Sequence, residues 1–272
     1  MSDAEFSGYQ AQNARAVDAW VEEGWVWGVP VSPETFARAK AGEWDVVLTP
    51  NIPVPHAWFG DLKGKKVLGL ASGGGQQMPV FAALGAECTV LDISLKQLES
   101  ERMVAAREGY DIRIVRADMT RPLPFSDGEF DLVFHPVSNC YIRDVLHVWR
   151  ECHRVLKPGG VLLAGLDSGV NYAFDDNEEK LAHRLPVDQL RDAAEAGVTL
   201  DPNESVQFSH AIQEQIGGQL AAGFILTHVF EDTNDEGNIS KYNLPCFYAT
   251  RAVKPEGACA AYFARVREDG NG

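Results

Sequence analysis

The chain of 272 residues carries 24 Lys and Arg against 39 Asp and Glu, a formal net charge of −15. Its 45% hydrophobic and 23% charged content is that of a globular protein, not a disordered one, and the length allows one or two domains. The acidic balance and the lack of clustered Lys and Arg argue against a nucleic-acid partner, whose phosphates require such clusters. No apolar stretch is long enough to span a bilayer.

Met1 to Gln10 is polar and acidic, unlike a signal peptide, and the five cysteines are scattered as expected of reduced thiols, so a cytoplasmic protein is expected. Val17, Trp20 and Val21 recur at helical spacing and predict an N-terminal helix before a tryptophan-rich segment, Trp25 and Trp27. Residues 28–60 contain Pro30, Pro33, Pro50, Pro53 and Pro55 and should be irregular around a short helix near Pro33 to Ala41. Tyr9, Trp44, Trp58 and Phe59 add to an aromatic density best explained by packing of an N-terminal cap, residues 1–60. A main domain at 61–253 and a tail at 254–272 complete the expected organisation.

The α/β core should run from Lys65 to Leu166. An apolar strand, Val67 to Ala71, feeds Gly73-Gly74-Gly75, a helix that stops at Gly85, and a second strand ending in Asp92. Ser94 with Gln97 predicts a capping box for a helix ending near Gly109. Ile112 to Arg116 and Phe130 to Phe134 read as short strands. Val145, Val148, Trp149, Cys152, Val155 and Leu156 follow the i, i+3, i+4, i+7 pattern of a buried helix face, with Gly159-Gly160 expected to stop that helix before a strand from Val161 to Leu166. Near-continuous apolar strands alternating with helices imply a parallel sheet covered on both faces. Residues 167–206 are acidic and weakly patterned, and read as an insertion before a last helix at about Phe208 to Ala222. On that helix His210, Gln213 and Gln215 are expected to face solvent. Phe224 to Phe230 and Cys246 to Val253 should close the sheet, and the tail beyond Pro255 predicts a loose helix.

The glycine triplet carries most of the functional information. Glycine lets the backbone approach a ligand closely, and a carboxylate ending the next strand can accept hydrogen bonds from two ribose hydroxyls. The dinucleotide pattern G-x-G-x-x-G is incomplete, because Gly73 and Gly75 are followed by Met78. The P-loop pattern fails as well, since Gln76-Gln77 stands where Lys and Ser or Thr are required. An adenosine ligand with an uncharged tail fits this turn better than a pyrophosphate or a triphosphate.

The segments Val67 to Gly75, Val90-Leu91-Asp92-Ile93-Ser94, Ala117-Asp118-Met119, Pro124-Phe125 to Phe130-Asp131-Leu132-Val133 and Glu151 to Gly160 resemble, in order and spacing, the class I S-adenosylmethionine-dependent methyltransferases. The resemblance runs from about Trp58 to Val253. It implies a Rossmann-like, doubly wound α/β sheet, mostly parallel with an antiparallel closing strand, plus an N-terminal helical cap. The implied cofactor is S-adenosylmethionine, with Ala71, Ser72, Gly73 and Gly75 at its methionine end, Asp92 on the ribose, Ile93 against the adenine, and Asp118 and Met119 around the adenine ring. Two departures stand out: the family's usual acid is Gly69 here and its first glycine is Ala71. The methionine end is therefore expected to rest on backbone carbonyls near Ala71 and on the cap, with Tyr9 the leading side chain.

His135 follows the fourth strand at the edge where ligands of open α/β sheets bind. It is the expected contact near the reactive methyl and a candidate base; a histidine bonded only to backbone is the alternative. Cys140, His147, Cys152 and His153 match no metal-ligand spacing. The acceptor pocket is expected between 135–141, the N-terminal aromatics and 167–206, and to suit a small molecule. An NAD(P)-dependent oxidoreductase and a non-catalytic binding protein remain alternatives at this point.

Overall fold

In the computed structural model, residues 6–260 are described. Seven strands form one sheet: β1 (Lys66–Leu70), β2 (Glu87–Asp92), β3 (Ile112–Arg116), β4 (Phe130–His135), β5 (Leu156–Asp167), β6 (Ile225–Asp232) and β7 (Phe247–Val253), in the order β3-β2-β1-β4-β5-β7-β6. The first five pair in parallel, and β7 runs antiparallel to both β5 and β6. The expected mostly parallel sheet with antiparallel closure is what forms.

Seven helices accompany the sheet: α1 (Gly8–Glu22), α2 (Pro33–Lys40), α3 (Gln77–Ala83), α4 (Leu95–Glu108), α5 (Val145–Val155), α6 (Gln189–Ala196) and α7 (Ile212–Ala222). Alternate strand residues feed opposite apolar layers. Leu68, Leu70 and Val133 pack with Phe125, Trp149 and Val155 on one face. Val67, Leu132 and Phe134 pack with Met78, Phe81, Trp58 and Phe59 on the other. Both faces being covered, the parallel strands can be apolar throughout.

Local chemistry explains the boundaries. Ser32 caps α2, with Pro33 in its first turn and a side chain that accepts from Thr35 N at 3.2 Å. Ser94 caps α4 by accepting from Gln97 N at 3.1 Å, and Gly109 ends that helix in the left-handed region at φ 72°. The capping box is only half formed: Ser94 N donates to Asp92 Oδ1 at 2.9 Å, while the Gln97 amide donates to Trp27 O.

Two expectations are corrected. Gly159-Gly160 do not stop α5. The helix ends at Val155, and Leu156 is already extended and paired with Phe130 of β4. Residues between Leu156 and Val161 bulge out of the pairing with β4, and just past β7 Gly159 N donates to Lys254 O and Lys254 N donates to Gly160 O. His210 and Gln215 do not face solvent; both are buried, and His210 precedes α7. The helix expected beyond Pro255 begins at 257–260, and the rest of that segment lies outside the described residues.

Candidate active site

The first strand–turn–helix unit builds the floor of the site. At the end of β1, Ala71 takes φ 48°, a left-handed conformation costly for an alanine, and its N–H donates to Leu91 O at 2.8 Å. The turn that follows is tied down from both sides. Gly73 N donates to Asp92 Oδ2 at 3.0 Å, and Gly75 N donates to Glu101 Oε1 at 2.8 Å. A methyl group added at Gly73 would come within 2.6 Å of Gln97 Cβ and 3.0 Å of Asp92 Oδ2. Glycine is therefore needed there for close approach of backbone to side chain.

The N-terminal segment is clamped onto this turn. Val31 N donates to Gly75 O, and the Gln76 amide donates to Val26 O and Val29 O. Helix α1 is held to the start of α4 through Asp18, whose Oδ1 accepts from Ser94 Oγ and from Lys96 N. Farther along the sheet, Asn13 bridges α1 to the chain after the insertion. Its amide donates to Tyr141 O and Val206 O, and its Oδ1 accepts from Val206 N at 2.7 Å.

These elements enclose a cavity of about 450 Å³ along the carboxyl edge of the sheet. This is the edge at which open α/β sheets bind ligands, and the volume is in the range of small-molecule sites. Its lining includes three carboxylates, Asp92, Asp118 and Asp167, and neither Lys, Arg nor His. The carboxylates follow the strand order. Asp92 ends β2, Asp118 lies two residues past β3, and Asp167 ends β5, so the cavity spans most of the sheet edge. Burial pushes the Asp92 carboxyl up to about 6, against the hydrogen bonds from Ser94 N and Gly73 N that favour its charged form. Burial likewise raises Asp167 to about 6.

Ala71, Ser72, Gly73, Asp92, Ile93, Asp118 and Met119 all line this cavity. Asp118 also serves its own turn, accepting from Thr120 N and Thr120 Oγ1, both at 2.8 Å. Three candidates fall elsewhere. Gly75 points away from the cavity, where an added methyl would lie 2.9 Å from Val104 Cγ2. Tyr9 packs edge-on against Phe208 with its hydroxyl accepting from Arg143 N, while Gln10, Asn13 and Val17 of the same helix line the cavity instead.

His135 stands in the wall behind the cavity, with no exposed surface. Its Nδ1 lies 2.9 Å from Leu70 O and its Nε2 2.9 Å from the Asn139 side chain, which continues to Gln215 at 3.0 Å. Leu70 O only accepts, so the proton sits on Nδ1, and burial lowers the ring's pKa. The histidine ties β1, β4 and α7 together, its two hydrogen bonds opposing the lowering that burial causes. The assignment of His135 as a base in contact with the acceptor is corrected accordingly.

Gly69 has its own explanation. A methyl there would lie 2.8 Å from Met78 Sδ, so the space of an acidic side chain is taken by α3. Residues not singled out from sequence complete the cavity: Asp167, Tyr172, Gln207 and Phe247, from the insertion, its border and β7. Asp167 ends an apolar strand as Asp92 does, and that shared pattern was the available signal. At Gly165, an added methyl would meet Leu48 O at 2.1 Å, so β5 passes hard against the Val47 to Pro50 segment that lines the same cavity.

The donor set, the Gly73 cradle and the cavity fit a cationic adenosine ligand such as S-adenosylmethionine. Residues 68–164 match the family described as methyltransferase domain. A relative from Bacillus subtilis (strain 168), Uncharacterized methyltransferase YbaJ, is 42% identical over 251 residues, covering 90% of this chain and 98% of the relative. An S-adenosylmethionine dependent methyltransferase from Mesorhizobium loti aligns in structure with a TM-score of 0.57 at 22% identity, over 72% of this chain and 94% of that one. The 1,6-didemethyltoxoflavin-N1-methyltransferase of Burkholderia thailandensis, solved with 1,6-didemethyltoxoflavin and S-adenosylhomocysteine, aligns with a TM-score of 0.56 at 16% identity, over 94% of each chain. The two structures share the fold, and the B. subtilis relative carries the family across nearly the whole length: the chain belongs to the class I S-adenosylmethionine-dependent methyltransferases.

Proposed function

We propose that this enzyme methylates a small, partly apolar acceptor, neutral or cationic, and that the acceptor binds in the half of the cavity beneath β4, β5 and β7. Family membership sets aside the oxidoreductase and the non-catalytic binder as readings of the cofactor site. The observation that carries the acceptor class is the lining: aromatic, aliphatic, amide and hydroxyl side chains with three carboxylates and, among the described residues, no basic group. Its net charge disfavours an anionic acceptor, nucleic acid included.

When bound, S-adenosylmethionine supplies an already activated methyl group. In this reading Asp92 accepts from the ribose hydroxyls, Ile93 and Met119 pack the adenine, and Asp118 accepts from its amino group. Backbone at Ala71, Ser72 and Gly73, with Gln10 or Gln76 nearby, takes the methionine end. The cap, residues 1–60, closes over the cofactor on the domain formed by 61–253, whose insertion at 167–206 walls the acceptor side; 254–272 is a tail. The chain's work is to hold the acceptor in line with the methyl and to exclude water. The unpaired cysteines support a reducing, cytoplasmic setting.

The test is a panel of small acceptors of each charge type, together with tRNA, assayed for S-adenosylhomocysteine formation. Turnover confined to neutral and cationic small molecules is expected; turnover on tRNA or on an anionic acceptor refutes this reading.

A further inference from the structure

Asp167 is a nearly buried carboxylate at the carboxyl end of β5, and the turn accounts for only part of its hydrogen-bonding capacity. Its Oδ1 accepts from Gly169 N at 2.5 Å, whereas Oδ2 has only the Asn171 amide at 3.4 Å. A carboxylate has about four acceptor sites, so several remain open on a group that lines the cavity. It stands three strands from Asp92 in the sheet order, roughly 14 Å at ordinary strand spacing. That distance separates it from the adenosine end.

Its neighbours in the lining are aromatic: Tyr141, Tyr172 and Phe247, the last paired with Asp167 itself across β5 and β7. Aromatic faces beside a carboxylate favour a cation. Beyond the shared wall of Asn171 and Tyr172 lies a second cavity of about 510 Å³, lined by Asp175, Asp176, Glu178 and Asp192 with His183 its sole potential base. The negative field therefore continues outward from the site.

Resting on the small-molecule reading above, we propose that Asp167 is the acceptor-binding residue and that the acceptor presents an amine nitrogen to it. The neutral amine donates an N–H to the Asp167 carboxylate and directs its lone pair at the methyl carbon. The nitrogen–carbon bond forms as the carbon–sulfur bond breaks; the bonding pair goes to sulfur, which becomes a neutral thioether. Positive charge leaves sulfur and appears on nitrogen, next to Asp167. A fixed carboxylate at the point where charge arrives stabilises the transition state; an amine that arrives as its ammonium first gives its proton to solvent, and the neutral form then attacks.

The experiment uses the full chain saturated with S-adenosylhomocysteine and measures binding of three shape-matched probes, benzylamine, benzyl alcohol and benzoate, by calorimetry at pH 8. Benzylamine, present as its ammonium, should bind about tenfold or more tighter than the alcohol, the scale of one charge-assisted hydrogen bond, and benzoate should be weakest. Asp167→Asn should bring amine and alcohol to within about twofold while S-adenosylhomocysteine affinity stays at the wild-type level. Phe247→Ala, which opens the same corner without touching the charge, should keep the preference for the amine. The wild-type series decides by itself if the Asn variant does not fold: equal binding of the three probes, no binding of any, or a preference for benzoate overturns the proposal. Loss of S-adenosylhomocysteine affinity in a folded Asp167→Asn protein also overturns it, by giving Asp167 to the cofactor. Failure of the wild-type protein to convert any small acceptor, with amine selectivity intact, would instead count against the broader functional reading.

Discussion

Replacing Asp92 with alanine separates a ligand contact from a structural one. In the folded chain its two oxygens accept from Gly73 N and Ser94 N, at 3.0 and 2.9 Å. Two backbone donors would lose a charged acceptor, at about 1.5–3 kcal/mol each. Against this, burial holds the carboxyl at about 6 instead of its ordinary 3.8. A rise of about two units means that keeping the group charged at neutral pH costs about 3 kcal/mol, which the substitution removes. That rise is already net of the two hydrogen bonds, so removing the carboxylate relieves strain while it strands two donors, and the net loss of stability should stay below about 3 kcal/mol. Cofactor affinity has no such compensation. Losing the ribose contact should cost about 1.5–3 kcal/mol, roughly tenfold to 150-fold in Kd. Calorimetry with S-adenosylmethionine, run beside denaturant unfolding of the same preparation, measures both. A folded Asp92→Ala protein with wild-type affinity would refute the ribose assignment.

Three further outcomes are expected. Gly165→Ala should destabilise the chain by about 1–3 kcal/mol, an overpacking cost, because the new methyl lands on Leu48 O; an unchanged unfolding midpoint would show that the 47–50 segment gives way freely. Asn13→Ala should cost about 1–3 kcal/mol and expose residues before Gly28 to proteolysis, since three buried hydrogen bonds hold that segment down; unaltered cleavage kinetics would contradict it. The Asp167 carboxyl is raised to about 6 in the folded chain, so between about pH 4 and 6 the folded state retains a proton the unfolded chain has released, and its contribution to stability falls as pH rises. Asp167→Asn should therefore gain stability relative to wild type on going from pH 4.5 to pH 7.5, by about 2 kcal/mol; a gain that is flat or reversed with pH would disprove the burial argument.

The parts of the fold that were legible in sequence are those set by neighbours in the chain. Apolar runs, Ser94 as a cap, and Gly85 and Gly109 as stops gave strands and helices close to their observed bounds. What the sequence did not disclose depends on contacts between distant segments. Gly159-Gly160 read as a helix stop because nothing local reveals that Leu156 already pairs with Phe130. His210 and Gln215 read as exposed because their partners, Asn139 and Ile142, lie about seventy residues away. In the site, the strand-end acids Asp92 and Asp118 were recognisable by position, but Tyr9 was the wrong residue of the right helix. Gln10, Asn13 and Val17 share one face at i, i+3 and i+7, and Tyr9 is turned about 100° from Gln10. His135 occupied the expected strand end, and only packing against Trp149, 5.9 Å between ring centroids, shows it turned inward.

The bridge between Asn13 and Val206 spans 193 positions of sequence, and it bears on when in the life of the chain the site comes into being. A ribosome delivers α1 first and the segment that Asn13 grips only after β1 to β5 have emerged, with Phe247, another wall of the cavity, later still. The glycine turn and Asp92 can assemble early, but the space they face has no roof or far side until synthesis is nearly complete. A ligand that needs both walls gains them only late in synthesis, and its stabilising effect falls on the last closure, where the first helix meets a loop segment made 193 positions later.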